Sequence, residues 1–241
     1  MSDWSPRYQD LEHLRPFLEV AEERGYELGE SADEMAVAEY DGQNVFVRAH
    51  DEDSASYDRM AEVLARQLDY DIRVPNTFFD SEEQLLITSE LGEDGELEPS
   101  EQAAESLVNT YAFEALMGQG DILGNTSTDS EGFYAFDFEN AGSHINGVYR
   151  AVKNEAQKAA KDHDLEKYIE DFEVIGERAV EMAEDVDIVS LAKEARSRDV
   201  SWEAYNSIEN NIETASNTER PSEGLFFAPE TSTEDEGVEL L

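Results

Sequence analysis

The order in which strand-like and helix-like segments follow one another constrains this chain most. Met35–Tyr40 and Asn44–His50 read as strands joined by the Asp41–Gly42 turn signal, the second with a Val45–Phe46–Val47 centre. A helix follows, capped by Ser54 or Ser56 and running to about Leu68, with Met60, Val63, Leu64 and Leu68 as its apolar stripe. Val74–Pro75 ends that unit, and Asn76–Phe79 and Gln84–Ser89 form two more strands around the acidic turn Asp80–Glu83. The polar stretch 92–99 (GEDGELEP) then separates a β-rich half from a helical one. Beyond it, helices are expected over 100–117, 146–162, 165–184, 187–197 and 201–215, with one short strand at Phe133–Phe138. Strands gathered in one half and helices in the other predict an α+β fold.

The flanks differ from this body. Residues 8–24 read as a helix with Leu11, Leu14, Phe17, Leu18 and Ala21 at helical spacing, interrupted or restarted at Pro16 and stopped at Gly25. Residues 216–241 are rich in Ser, Thr and Glu, with six acids and no base from Pro221 onward. That tail is expected to be mobile apart from an anchor at Leu225–Phe226–Phe227. The expected organisation is therefore an N-terminal helical segment (1–25), a β-rich lobe (26–91), a linker (92–99), a helical lobe (100–215) and an acidic tail (216–241).

Charge bears on habitat and partners. The chain carries 59 acidic and 17 basic residues among 241, a net charge of −42. Only five of the bases are Lys, the first being Lys153. Lys-poor, acid-rich chains resemble those of salt-loving archaea and their viruses. At ~1 M salt the Debye length is about 3 Å, which screens repulsion between surface carboxylates; at low salt the same charge works against compactness. A nucleic-acid backbone is excluded as a partner, because phosphate binding needs Lys and Arg, and an anionic membrane surface is disfavoured. The N-terminus has no basic and apolar signal pattern. No apolar run approaches the ~18 residues of a membrane span. The expected location is a high-salt cytoplasm, or a virion. With no Cys there is no disulfide or thiolate site, and His13, His50, His144 and His163 lack mutual metal-ligand spacing. A Walker A motif is missing, and an EF-hand loop fails because Ser130 stands at its glycine position.

Chemistry concentrates in two segments. Gly120–Asp121–Ile122–Leu123–Gly124–Asn125 precedes Phe136–Asp137–Phe138–Glu139 by about a dozen residues. Phosphoryl transfer needs carboxylates and an amide to hold Mg²⁺, an Asp beside the attacking hydroxyl, and a cation on the phosphates. Here the chain resembles the protein-kinase-like superfamily, most of all its HipA-like, phosphatidylinositol-kinase-like and aminoglycoside-phosphotransferase-like branches, over about residues 26–215. Gly25–Tyr40 is similar to the first two strands and phosphate loop. Asn44–Ala49 is similar to the third strand, Glu62–Leu68 with Val74–Pro75 to the N-lobe helix, and Leu85–Leu91 to the fifth strand and hinge. The resemblance implies a two-lobed fold, with a small antiparallel β N-lobe holding one helix and a mainly helical C-lobe. It implies ATP and Mg²⁺ as cofactors. Asp121 would be the catalytic Asp, Arg48 set by Glu62 the phosphate-binding cation, and Asn125 and Asp137 the metal ligands. Gly29 and Arg48 would cover the phosphates, and the hinge Ser89, Glu90 and Leu91 would take the adenine. The acceptor is a hydroxyl on a protein or small molecule.

The sequence also departs from that pattern. Arg48 stands where the family carries Lys, and the two are not interchangeable. Asp121 and Asn125 are four apart where five is usual, the usual His or Arg beside the Asp is missing, and the phosphate loop has the single glycine Gly29. Asp121 and Asn125 equally suit a plain turn. Arg48 equally suits a surface ion pair, and Glu62 a solvated helix face, with Asp58 the competing partner one turn away. Two functions therefore stand on the sequence: a phosphotransferase, or a catalytically degenerate binding or structural module, including one for viral assembly. Asp137 is singled out because an unpaired charge in the apolar-aromatic stretch Tyr134–Phe138 would be costly.

Overall fold

A computed structural model describes residues 36–218 apart from 41–42, 82–83, 90, 93–94 and 120–124. The expected 8–24 helix with Pro16 and Gly25, the Asp41–Gly42 turn, Gly29, Glu90, Asp121 and the tail beyond Thr218 lie outside the described residues. Four strands, β1 (Ala36–Tyr40), β2 (Gln43–Ala49), β3 (Thr77–Asp80) and β4 (Leu85–Ser89), form one antiparallel sheet in the order β1-β2-β4-β3. β4 takes a central position, pairing Val47 with Ile87 on one side and Phe78 with Ile87 on the other. Its Leu86 and Ile87 are fully buried, as a central strand of large aliphatic residues demands.

Between the hairpins lies α1 (Glu52–Gln67). Its cap is Asp51, three residues before the Ser54 considered from sequence: the Asp51 carboxylate accepts from the Ser54 amide at 2.9 Å. Asp is a strong cap, and with Glu52 and Asp53 it puts negative charge at the positive helix end. Met60, Val63 and Leu64 of α1 are buried, and so are Asp58 and Glu62.

The helical half is built on α2 (Glu101–Met117), which is buried almost all round. Ser100 caps it, accepting from the Ala103 amide at 3.1 Å. Ser100→Ala is expected to lower stability by about 1 kcal/mol, measured as an unfolding midpoint in urea with unchanged slope. Gly118 ends the helix at φ +63, and a Cβ there would lie 1.9 Å from the Ser143 carbonyl oxygen, so only glycine fits. The helices α3 (Ile145–Asp162), α4 (Val174–Asp185), α5 (Ile188–Ser197) and α6 (Trp202–Ser216) complete this half. The expected 165–184 helix is instead a 3-10 turn, Glu166–Tyr168, followed by α4. Asp171 accepts from the Glu173 amide at 3.0 Å, and this local turn interrupts what the apolar spacing reads as continuous. Among the described residues no helix is long and apolar enough to cross a membrane.

A second, two-stranded sheet pairs β5 (Thr126–Asp129) with β6 (Gly132–Ala135). The strand expected over Phe133–Phe138 thus ends at Ala135, and Asp137 follows in the left-handed region at φ +60, leading into a 3-10 turn, Phe138–Asn140. Asp129 closes the hairpin turn through the Glu131 and Gly132 amides at 2.8 and 3.2 Å. Arg73 grips both carboxylate oxygens of Asp129 at 2.7 Å, tying the hairpin to the segment after α1. The molecule is therefore α+β, with small antiparallel sheets and mostly helix.

Candidate functional site

Arg48 leaves β2 at its pairing with Leu86 and reaches two carboxylates from two other elements. Its Nη1 donates to Asp137 Oδ1 at 2.6 Å, and its Nη2 to Asp58 Oδ2 at 3.3 Å. Asp58 rises from the buried face of α1 and also accepts the Phe138 amide at 3.0 Å. The helix, the central sheet and the segment after β6 are thereby bolted together at one point. Burial works against the Arg48 charge, but Asp58 and Asp137 more than offset it and hold the guanidinium above its ordinary range. Burial pushes the Asp58 carboxyl up to about 6, with Arg48 pulling the other way.

The sequence pointed to Glu62 as the partner of Arg48. Glu62 lies one turn further along α1 and does something else. Its carboxylate accepts from the Thr77 amide at 2.9 Å and the Thr77 hydroxyl at 2.7 Å, and it pairs with Arg66 and with Arg198 from the end of α5. It fastens α1 to β3 and to the helical half, and Asp58 takes the place beside Arg48.

Asp137 is held by its backbone. Its carbonyl accepts from the Gln119 side chain at 2.8 Å and from the Asn125 side chain at 3.1 Å. The left-handed backbone at Asp137 is thus fixed from the end of α2 and from the start of β5. Gln119 was not singled out in the sequence; a polar residue fully buried between two glycines is visible only once the loop is placed. His50 and Glu139 complete the charged end. The His50 Nε2 stands 3.8 Å from Asp58 and 3.7 Å from Glu139. Burial and then Arg48 depress the His50 imidazole to about 4, so it is neutral at pH 7. Burial and then Asp137 raise Glu139. Asp58, Asp137 and Glu139 face one guanidinium, leaving this end of the site negative.

These charges close one end of a cavity of about 400 Å³. Its other walls are Phe46, Pro75 and Leu91 with Tyr134 and Phe136, and Thr88, Ser89 and Ser127 add hydroxyls. Of the residues expected to act, the structure brings Arg48, Asp137, Ser89 and Leu91 to this one cavity, with Asn125 bonded to the backbone of Asp137. Glu62 is turned to its structural partners, and Asp121, Gly29 and Glu90 are outside the described residues.

Among the described residues no three His, Cys, Asp or Glu side chains are grouped to hold a metal ion. Mg²⁺ does not need such a cage: it is commonly held by one or two carboxylates together with water and substrate phosphates. Asp137, with 27 % of its side chain exposed, lines the cavity with Oδ1 held by Arg48, and the Asn125 amide donates to the Asp137 carbonyl. No protein-family model matches the chain, and no curated protein matches it in sequence.

Proposed function

We propose that the chain is a kinase-like, ATP- and Mg²⁺-dependent phosphotransferase acting on a hydroxyl acceptor, with the β-rich half and the helical half as the two lobes around the nucleotide. The observation that carries this reading is a single cavity, charged at one end by Arg48, Asp58 and Asp137 and walled elsewhere by Phe46, Leu91, Tyr134 and Phe136. Apolar and aromatic walls accept a planar base, and Ser89 and Leu91, which line the same cavity, would take its edge. Arg48 presents a fork suited to two phosphate oxygens. In the free protein that fork is spent on Asp137 and Asp58. An entering triphosphate takes the place of Asp137 as the anion on Arg48, and Asp137 is released toward the phosphates. There, with Asn125, Asp137 would hold Mg²⁺, which neutralises charge developing on the transferred group. Asp121 would orient the acceptor hydroxyl.

The test is thermal unfolding in molar KCl with ATP, with and without Mg²⁺. Wild type is expected to be stabilised by ATP and further by Mg²⁺. Asp137→Ala is expected to abolish the Mg²⁺-dependent part and to leave the Mg²⁺-free shift. No nucleotide-dependent shift in wild type would end this reading. The same Arg48–Asp137 bond supports a second reading, a degenerate kinase-like binding or structural module, because it ties up both groups that turnover needs. Nucleotide binding without any transfer that depends on Asp121 would favour that second reading.

A further inference from the structure

The β5–β6 hairpin borders the charged cavity and also a second one, of about 280 Å³. Side chains alternate between the two faces of a strand. Ser127 and its partner Tyr134 line the charged cavity, whereas Thr128 and its partner Phe133, on the other face, line the second. Thr126 and Ser127 border the second cavity too. A strand face presents every other residue, so three in a row place this cavity along the outer edge of β5. Among the described residues β5 pairs with β6 alone, and a free edge offers backbone N–H and C=O groups besides its side chains. The rest of the wall comes from two helices. Glu155, Lys158, Ala159 and Asp162 follow one another at helical spacing on one face of α3, with His163 just past its end. α2 adds the buried Tyr111.

We propose that this second cavity binds a neutral polyhydroxylated molecule of monosaccharide size. Small-molecule cavities begin at about 300 Å³, so its volume suits a small occupant. The lining sets the class. Apart from Phe133, Ala159 and the Tyr111 ring, its side chains are polar, and they mix acceptors with donors. Glu155 and Asp162 accept, Lys158 donates, and the hydroxyls of β5 do both. Neighbouring hydroxyls on a ligand match such a mixture, because each one donates and accepts. An apolar occupant would leave these groups without partners, and two carboxylates count against an anion. Among the described residues no three side chains are grouped to hold a metal ion here. Part of the lining is already spent: the Thr126 hydroxyl donates to Glu114 at 2.7 Å, and Lys158 to Glu155 at 3.5 Å. Among the described residues, the Thr128 hydroxyl and the Asp162 carboxylate have no hydrogen bond or ion pair, so both are left for the ligand. The site stands whether or not the charged cavity takes a nucleotide, because Ser127 is the one described residue that lines both.

Saturation-transfer NMR on the full-length chain in molar KCl tests this, with glucose, mannose, galactose and myo-inositol as probes. At least one of them is expected to receive transfer, and ATP is expected not to displace it. Ala159→Leu puts a larger residue of good helix propensity into the cavity wall. It is expected to remove the signal with far-UV circular dichroism unchanged. Thr128→Val keeps the shape and the strand propensity and loses the hydroxyl. Thr128→Val and Asp162→Ala are each expected to weaken binding about fivefold, the worth of one hydrogen bond. No transfer to any of the four probes overturns the proposal. So does binding that ATP displaces, which would put the probe in the charged cavity, and so does binding that Ala159→Leu and Thr128→Val both leave unchanged.

Discussion

Arg48→Met is expected to destabilise the protein by about 3–5 kcal/mol at pH 7.5, the cost of breaking a buried charge cluster by removing one partner. Methionine preserves much of the stem volume, so the loss reports charge more than packing. What remains is Asp58, with 3 % of its side chain exposed, beside Asp137 and Glu139 with no cation among them. The sign of the pH dependence follows from Asp58. Its carboxyl titrates at about 6 in the folded protein, above the 3.8 of the unfolded chain. A raised folded pKa contributes stability that is fully present below the unfolded value and is lost as pH rises through the folded one. Removing Arg48 raises Asp58 further, so the deficit of the variant is expected to be greatest above pH 7 and to shrink toward pH 4–5, where Asp58 is protonated. Urea unfolding of both proteins across pH 4.5–8 measures it. A deficit that stays constant over that range would mean that lost packing dominates. Arg48→Lys keeps one charge and loses the two-pronged reach, so it is expected to fall between the two. In the nucleotide assay Arg48→Met is expected to remove the stabilisation by ATP altogether, a larger loss than that caused by Asp137→Ala.

How far the fold and site were legible in the sequence depends on the range of the interactions concerned. Val45–Phe46–Val47 and Leu85–Ser89 announce strands through their own composition, and Ser100 announces α2. The cap of α1 was misplaced by three residues because Asp51 and Ser54 are both good local acceptors. β5 has no apolar alternation: Thr126-Ser127-Thr128-Asp129 becomes a strand because Arg73 grips its last residue and β6 offers a ladder. Arg48, Asp137, Ser89 and Leu91, which the resemblance picks out one by one, line one cavity, and that meeting is visible only in the structure. The same holds for the partner of Arg48. Asp58 and Glu62 lie on the same buried face of α1, and what separates them is Arg198, 136 residues from Glu62, which claims Glu62 and leaves Asp58 for Arg48. Composition could not show this. In a chain with 59 acids, a carboxylate is distinguished only by what surrounds it.

Glu114 is a further case that only the structure reveals, and it has a large expected effect. It lies in the last turn of α2 and is fully buried. Its Oε1 accepts from the Thr126 hydroxyl at 2.7 Å, and its Oε2 is buried without a hydrogen-bond partner. Burial pushes the carboxyl up to about 8, against a small opposing pull from the Thr126 hydrogen bond, so the group is mostly protonated at pH 7. The unfolded chain releases that proton near 4.5. The folded state thus binds more protons between these values, and stability falls as pH rises from about 4.5 through about 8, by about 1.4 kcal/mol for each pH unit in the window. Glu114→Gln keeps the acceptor for Thr126 and removes the titration. Its unfolding free energy relative to wild type is therefore expected to climb steadily from pH 5 to pH 8 and to level off above. Thr126 starts β5 beside Asn125, whose side chain holds the Asp137 carbonyl. Ionising Glu114 thus strains the segment that positions Asp137, and nucleotide-dependent stabilisation in wild type is expected to weaken above pH 8 and to persist in Glu114→Gln. A flat difference between the two proteins from pH 5 to pH 8 would mean that Glu114 is ionised in the folded chain.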